Sequence, residues 1–139
     1  MAYYQKYRQN KFGNIKQEYN GIRFDSIKES TKAFELDMLI KTKKIKSWKP
    51  QHKIPINVVY ENGLPVLTDT DGLELKKQKK TFDHICNYYM DFRIENIDGS
   101  IEYLEIKSPI TMTKDWKLKF KMCEAIFKNH PTIYLTVEC

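Results

Sequence analysis

Cysteine is scarce in this sequence, and its spacing excludes two classes of small protein. Three cysteines occur among 139 residues, at Cys86, Cys123 and Cys139. An odd number without a Cys-x-x-Cys motif indicates neither a disulfide scaffold nor a zinc site built from thiolates. We therefore expect a chain that folds on a hydrophobic core in a reducing compartment, the cytoplasm.

Long apolar runs are also missing. No stretch approaches the roughly 20 residues that a membrane helix needs, and the basic, tyrosine-rich N-terminus lacks the apolar core of a signal peptide. We expect no membrane contact. A hydrophobic content of 41% and a charged content of 30% are typical of globular proteins. The length predicts a single domain over residues 1–139, with residues 1–18 as an N-terminal arm.

The charge balance favours an anionic partner. Lysine and arginine exceed aspartate and glutamate, giving a formal net charge of +6. Such an excess favours nucleic acid without identifying it. The arm mixes tyrosines with basic residues and fits two descriptions, a partly ordered segment or a basic aromatic arm that contacts nucleic acid.

Turn residues and hydrophobic periods predict an α/β fold with a mixed central sheet flanked by helices. A capping box at Ser26 and Glu29 starts a helix that should reach about Lys43. Three strands follow at residues 45–48, 53–60 and 65–70, with Pro50 ending the first. After a hairpin at residues 82–107, Thr113 caps a second helix over residues 114–128. A final strand at residues 132–137 should run parallel to the second hairpin strand.

Two sets of lysines are candidate phosphate contacts. The second helix carries Lys114, Lys117 and Lys121 on one face, beside an apolar stripe of Trp116, Phe120, Cys123 and Phe127. A basic run at residues 76–80 includes Lys77 and Lys79. This run is either a solvated loop or a loop that contacts phosphates.

The hairpin carries the residues that are best suited to catalysis. Asp91 lies on its first strand, and Glu105 and Lys107 form a Glu-x-Lys on its second. Met90, Phe92 and Ile94 alternate with polar residues, as do Leu104 and Ile106. This period of two predicts one buried sheet face and one face left for chemistry.

The turn decides whether the two carboxylates meet, because a slip of one residue moves a side chain to the other face. A two-residue turn at Asp98 and Gly99 would separate Asp91 from Glu105. A three-residue loop ending in Gly99 would pair Asn96 with Ser100 and place Asp91 opposite Glu105. It would also stack Met90 on Ile106 and Phe92 on Leu104. We predict the three-residue loop.

Two carboxylates facing each other need a cation at neutral pH. Hard oxygen ligands without histidine or thiolate suit Mg²⁺ or Mn²⁺. A lysine two residues further along can orient a water or stabilise charge on a phosphate. These are the parts of a metal-assisted phosphodiester hydrolase. Taken alone, the spacing is weak evidence, because a Glu-x-Lys on a strand is common and is more typical of a solvated, salt-bridged sheet face.

The order of these residues resembles the core of the PD-(D/E)XK nucleases. It is similar to small phage-encoded endonuclease-like proteins of that superfamily, related to Holliday junction resolvases. The matching stretches are residues 19–26 with Glu29, residues 89–92, residues 105–107, and the lysine-rich helix ending at His130 and Pro131. Together they extend over most of the chain from Tyr19 onward.

The resemblance implies a restriction-endonuclease-like core and a set of roles. Asp91 and Glu105 would be metal ligands, together with the carbonyl of Ile106. Lys107 would serve the nucleophilic water, and Glu29 would be an outer carboxylate. Glu29 also has a sufficient structural role in the capping box.

Three positions depart from the pattern. Met90 stands where the superfamily motif has proline, and Ser108 follows Lys107 where glycine is expected. His52 follows Gln51 where proline is more usual.

The resulting hypothesis is a Mg²⁺-dependent endonuclease acting on branched or structured phage DNA. Junction resolution needs two symmetric cuts, which implies a homodimer, and the N-terminal arm is a candidate for exchange between subunits. Two alternatives stay open. One is a non-catalytic nucleic-acid-binding module on the same fold, and the other is a protein-interaction partner in phage assembly.

Overall fold

The main element of the fold is a mixed five-stranded sheet. The computed structural model describes residues 3–4, 17–24 and 26–139. Its elements, in chain order, are β1 (Tyr3–Tyr4), β2 (Gln17–Tyr19), β3 (Ile22–Phe24), α1 (Ile27–Lys41), β4 (Ile45–Glu61), β5 (Leu64–Thr68), α2 (Gly72–Lys77), β6 (Phe82–Asn96), β7 (Ile101–Ile106), a short 3-10 helix (Pro109–Thr111), α3 (Lys114–Phe127) and β8 (Ile133–Glu138).

The sheet order is β5-β4-β6-β7-β8. Its neighbours are antiparallel except β7 and β8, which are parallel and joined through α3. The predicted α/β class with a mixed, helix-flanked sheet is therefore confirmed, as is the parallel final strand. A separate small sheet has the order β1-β2-β3. Tyr3 and Tyr4 of the predicted arm pair there with Tyr19 and Glu18, and most of that arm lies outside the described residues.

Two hydrophobic clusters form the core. The first, the α1 cluster, contains Tyr19, Phe24, Ala33, Leu36, Ile45, Phe92, Ile94, Leu104 and Ile106. The second, the α3 cluster, contains Ile54, Ile56, Tyr88, Met90, Tyr103, Cys123 and Phe127, with Trp116 and Phe120 packed against it. Because Tyr103 and Leu104 are consecutive in β7 and belong to different clusters, the two clusters lie on opposite faces of the sheet.

Both long helices begin at the predicted caps. The Ser26 hydroxyl accepts a hydrogen bond from the Glu29 amide at 3.2 Å, and the Thr113 hydroxyl accepts one from the Trp116 amide at 3.2 Å. Each bond satisfies an amide that the first helical turn leaves without a partner. Helix α1 ends at Lys41, two residues before the predicted end. In the described residues, no helix has the length and apolar character needed to cross a membrane.

One carboxylate ties three elements together. Asp37 of α1 accepts hydrogen bonds from the Tyr19 hydroxyl of β2 and from the Trp48 indole of β4, both at 2.8 Å. Burial and the bond to Asp37 raise the pKa of Tyr19 to about 12. These bonds hold α1 against its face of the sheet and so fix where Glu29 lies.

Strand β4 corrects the prediction that Pro50 ends a strand. It continues for 17 residues through Pro50 and Pro55, which pair with Phe92 and Asn87 of β6. Proline lacks an amide hydrogen and is tolerated where a strand edge is open. Strand β5 pairs with β4 only from Asn57 to Glu61, so both prolines fall where no described strand lies along the other edge of β4.

The basic run also differs from the predicted loop. Residues Gly72–Lys77 form α2, and the Asp71 carboxylate caps it by accepting from the Glu74 amide at 2.9 Å. Lys77 is the last helical residue, and Lys79 follows in a left-handed conformation with φ of 56°. The aspartate cap supplied a helix start that the lysine-rich composition concealed.

The hairpin turn has the predicted three-residue form. The Gly99 amide donates to the Asn96 carbonyl at 3.0 Å, and the Asn96 amide donates to the Ser100 carbonyl at 2.9 Å. Gly99 has φ of +87°, a left-handed conformation that favours glycine. The ladder pairs Phe92 with Leu104, so the register that brings Asp91 toward Glu105 is confirmed.

Replacing Gly99 by alanine should destabilise the protein by about 1–2 kcal/mol, because a Cβ is unfavourable in the left-handed region. Urea denaturation measures the change. Ile97→Ala is the matched control, since Ile97 lies in the same turn and is 60% exposed. Equal stabilities for the two variants would contradict the assigned turn.

Candidate active site between strands β6 and β7

Strand β6 changes faces at Asp91. Tyr88 and Met90 belong to the α3 cluster, whereas Phe92 and Ile94 belong to the α1 cluster. All four have even numbers, and a regular strand would place them on one face. The alternation of side chains therefore reverses at Asp91. Even-numbered side chains before it belong to the α3 cluster, and those after it belong to the α1 cluster.

The face change corrects one predicted contact. Met90 does not stack on Ile106, because Met90 is in the α3 cluster and Ile106 is in the α1 cluster. Phe92 and Leu104 do pair and share the α1 cluster. Uniform hydrophobic alternation in the sequence concealed the change.

Strand β4 changes faces beside Asp91. Trp48 packs on the α1 cluster and Ile54 belongs to the α3 cluster. Between them, Pro50 pairs with Phe92 and His52 pairs with Met90, which leaves Gln51 opposite Asp91. Gln51 has φ of +49°, an uncommon conformation for a residue with a side chain. Its left-handed backbone reverses the side-chain alternation of β4 at the same place as that of β6, and the pairing register of the two strands is kept.

Strand β7 does not make this change, so the β6–β7 ladder stops at Phe92 and Leu104. Beyond that pair, side chains satisfy the backbone amides. The Asp91 amide donates to Glu105 Oε1, and the Ile106 amide donates to Asp91 Oδ2, both at 2.8 Å. The two predicted carboxylates therefore bridge an opening between the strands, and each is held by the backbone beside the other.

Helix α3 closes one side of the opening with aromatic side chains. The Trp116 indole donates to Glu105 Oε2 at 3.1 Å and to the Tyr88 hydroxyl at 2.6 Å. Glu105 is only 2% exposed. Both oxygens of this buried carboxylate thus accept hydrogen bonds, which holds Glu105 in one orientation.

Lys107 directly follows the last residue of β7, within electrostatic reach of both carboxylates. Its Nζ is 5.5 Å from the centroid of the Trp116 ring, and its amide donates to the Glu138 carbonyl of β8 at 2.9 Å. Its charge acts to lower the pKa of both Asp91 and Glu105. The structure therefore brings Lys107 together with the acidic pair.

Glu29 completes the negative charge of the site from the α1 side. It is buried, with 8% of its surface exposed. Burial, followed by repulsion from Glu105 and from Glu29, raises the pKa of Asp91 from 3.8 to about 8. Burial also raises the pKa of Glu105. Glu29 of α1 is thus an electrostatic neighbour of Asp91.

Comparison with known proteins places the chain in a family. The model of the family described as "Protein of unknown function (DUF1064)" matches residues 4–137. The chain belongs to the DUF1064 family. No curated protein and no solved structure matches it.

In this DUF1064 member the chemistry of the acidic pair fits a small hard cation. Mg²⁺ is usually held by one or two carboxylates and keeps several waters. Asp91 Oδ1 accepts no hydrogen bond from any described residue. Burial is the largest cause of the raised pKa of Asp91, followed by repulsion from Glu105 and Glu29. Within the described ranges, no group of three or more His, Cys, Asp and Glu side chains is arranged to hold a metal ion. Asp91 and Glu105 are the two carboxylates of the opening that could hold such an ion.

The predicted lysines divide into two groups by position. Lys114 and Lys117 are exposed on the first turns of α3, on either side of Trp116, and Lys121 lies one turn further on. Lys77 and Lys79 lie just before the start of β6 at Phe82. Asp91 lies nine steps along the strand from Phe82, which is roughly 30 Å. The α3 lysines thus lie on the helix that carries Trp116, and Lys77 and Lys79 lie at the far end of the sheet.

Sequence reasoning missed three residues of the site. Trp116 was recognised only as part of an apolar stripe, although its indole also binds Glu105. Tyr88 lies against the same carboxylate, and Gln51 lies opposite Asp91. The sequence offers no signal for them, because residues three apart on a regular strand face opposite sides and Gln51 lies on another strand.

The conformation of Gln51 gives a test of the face change. Gln51→Val should lower the free energy of unfolding by about 1–3 kcal/mol, because a β-branched residue is strained at positive φ. Gln51→Gly should be neutral or slightly stabilising, since glycine adopts this conformation without strain. Chemical denaturation of both variants measures the difference. Equal effects would show that the Gln51 side chain, not its backbone, is what matters.

The pKa of Asp91 predicts how stability depends on pH in metal-free protein. A carboxyl group whose pKa is raised on folding favours the folded state most below its unfolded pKa of 3.8, and that contribution is lost as the pH rises through about 8. Asp91→Asn, which can still accept from the Ile106 amide, removes this loss. The quantity to compare is the melting temperature of Asp91→Asn minus that of the unmodified protein, both measured in EDTA. This difference should be at least about 3 °C larger at pH 9 than at pH 4.

Thermal melts at the two pH values decide this, with Glu102→Gln on the neighbouring strand β7 as the control. A difference in melting temperature that does not change with pH would contradict the assignment.

Proposed function

We propose that this protein is a metal-dependent DNA endonuclease on a restriction-endonuclease-like core. The observation that carries the proposal is the pair of carboxylate-to-amide hydrogen bonds at 2.8 Å, which hold Asp91 and Glu105 together where β6 leaves β7. Lys107, two residues after Glu105, adds a cation that can orient a water or stabilise charge on a phosphate. The order of these residues resembles the PD-(D/E)XK nucleases.

Bound Mg²⁺, with Mn²⁺ as a substitute, would polarise the phosphoryl oxygen and lower the pKa of the attacking water. Asp91, Glu105 and the Ile106 carbonyl would hold this ion. The Trp116 indole orients Glu105, and the hydrogen bond from Ile106 orients Asp91. Lys107 would position the water or stabilise charge that develops on the phosphate. Glu29 would act on the water shell from the opposite side of the opening.

The lysines of α3 supply the electrostatic attraction for a nucleic-acid strand. Lys114, Lys117 and Lys121 are exposed on the helix whose Trp116 contacts the site. Phosphate contacts by lysine give affinity that does not depend on sequence and that falls as salt rises. This basic helix beside the acidic opening favours a polyanionic substrate. The proposal further includes branched phage DNA as the substrate, a homodimer as the assembly and the host cytoplasm as the location.

The decisive experiment compares cleavage of a synthetic four-way junction with cleavage of plain duplex, in Mg²⁺, Mn²⁺ and EDTA. We expect metal-dependent cleavage, faster on the junction. Asp91→Asn and Glu105→Gln should each lower the rate at least about a hundredfold, because each loses a metal ligand while keeping the shape of the side chain.

Glu102→Gln is the matched control, since Glu102 lies on β7 but pairs with Ile94 outside the opening. It should cleave at the unmodified rate. Metal-dependent cleavage that survives in Asp91→Asn would refute the assignment of the site. Absence of cleavage by the unmodified protein, with DNA binding retained, would support the non-catalytic binding module instead.

A further inference from the structure

Two cations lie directly opposite each other beside the acidic opening. Arg93 of β6 pairs with Lys49 of β4 on one side and with Tyr103 of β7 on the other. Opposite residues of this kind have Cβ atoms about 5 Å apart, and like charges there are destabilising. A like-charge pair in the middle of a sheet therefore needs a negative partner.

No described carboxylate forms a salt bridge with either cation. Glu95, two residues from Arg93 on β6, binds Lys46 at 3.5 Å and the Ser47 hydroxyl at 3.4 Å. Arg93 is half-buried. A guanidinium removed in part from water and left without a carboxylate is a typical anion-binding group.

A third nitrogen donor faces the same place. The His52 imidazole is half-buried and stacks on the Tyr103 ring, with centroids 5.5 Å apart. Burial lowers the pKa of His52, and the charges of Arg93 and Lys49 lower it further. These effects show that the three side chains are electrostatic neighbours.

The location of this group relative to the acidic pair suggests its ligand. Arg93 follows Asp91 by two residues on β6, and Tyr103 precedes Glu105 by two on β7. Two residues of strand span about 7 Å, which is comparable with the separation of neighbouring phosphates along one nucleic-acid strand. A strand with one phosphate at the acidic pair would place the next at Arg93.

We propose that Arg93, Lys49 and His52 form a binding site for one phosphate of the substrate strand, adjacent to the phosphate held at Asp91 and Glu105. The inference rests on the proposed function, because the acidic pair defines which phosphate is cleaved. Arg93 binds through its guanidinium, Lys49 through its charge and His52 through a ring N–H. The enzyme therefore requires a strand that continues past the cleaved bond.

The test measures binding of a fluorescent single-stranded oligonucleotide by anisotropy, in Ca²⁺ so that binding is separated from cleavage. Arg93→Gln should weaken binding about tenfold or more, since a charge-assisted hydrogen bond to phosphate is lost. Lys46→Gln is the matched control, because Lys46 is a neighbouring cation already paired with Glu95. It should weaken binding less than about threefold. Arg93→Lys should restore most of the affinity, and thermal melts exclude unfolding of Arg93→Gln.

A second series locates the contact. Oligonucleotides that each carry one neutral methylphosphonate should show one position where the unmodified protein loses affinity and Arg93→Gln loses none. An unchanged profile in Arg93→Gln, or a loss no larger than that of Lys46→Gln, would overturn the phosphate site. Cleavage in Mg²⁺ is scored separately. An Arg93-dependent profile without cleavage would refute the endonuclease and leave the phosphate site standing.

Discussion

The site depends on a hydrogen-bonding constraint at the end of the β6–β7 ladder. A buried backbone amide must find an acceptor, and past Phe92 and Leu104 the neighbouring strand no longer supplies one. The carboxylates of Asp91 and Glu105 take that place. Their position is therefore set by backbone geometry, which is more rigid than side-chain packing alone.

This arrangement concentrates negative charge where the fold can least screen it. Glu29 arrives on α1, Asp91 on β6 and Glu105 on β7, and burial raises the pKa of both strand carboxyls. Perturbed pKa values of this kind are typical of functional sites. Amide side chains could accept the same backbone hydrogen bonds without the cost of burying a charge. The carboxylates are the feature of this opening that the proposed metal-dependent chemistry would use.

Much of the fold was predictable because the signals were local. The caps at Ser26 and Thr113 and the Gly99 turn each depend on a few neighbouring residues, and the hairpin register followed from that turn. The face change was not predictable, because Met90, Phe92 and Ile94 keep the alternation of a regular strand. What distinguishes them is the backbone of Gln51 on another strand, and glutamine carries no preference for positive φ.

The errors elsewhere have similar physical causes. Pro50 breaks a strand only where its amide is needed, and that depends on how far β5 extends along β4. Lys76 and Lys77 resemble a solvated loop until the Asp71 cap is considered. Tertiary pairing decides the first case and a single capping bond decides the second. The anion-binding pair of Arg93 and Lys49 likewise becomes visible only when β4 and β6 are aligned.

The contact between Trp116 and Glu105 has an optical consequence. The chain has two tryptophans. The Trp48 indole donates to Asp37 on the α1 side, and the Trp116 indole donates to the buried carboxylate of the site, with the Lys107 ammonium near its ring. The emission of an indole responds to charge at its N–H and over its ring. The fluorescence of Trp116 should therefore respond to the charge state of the acidic site.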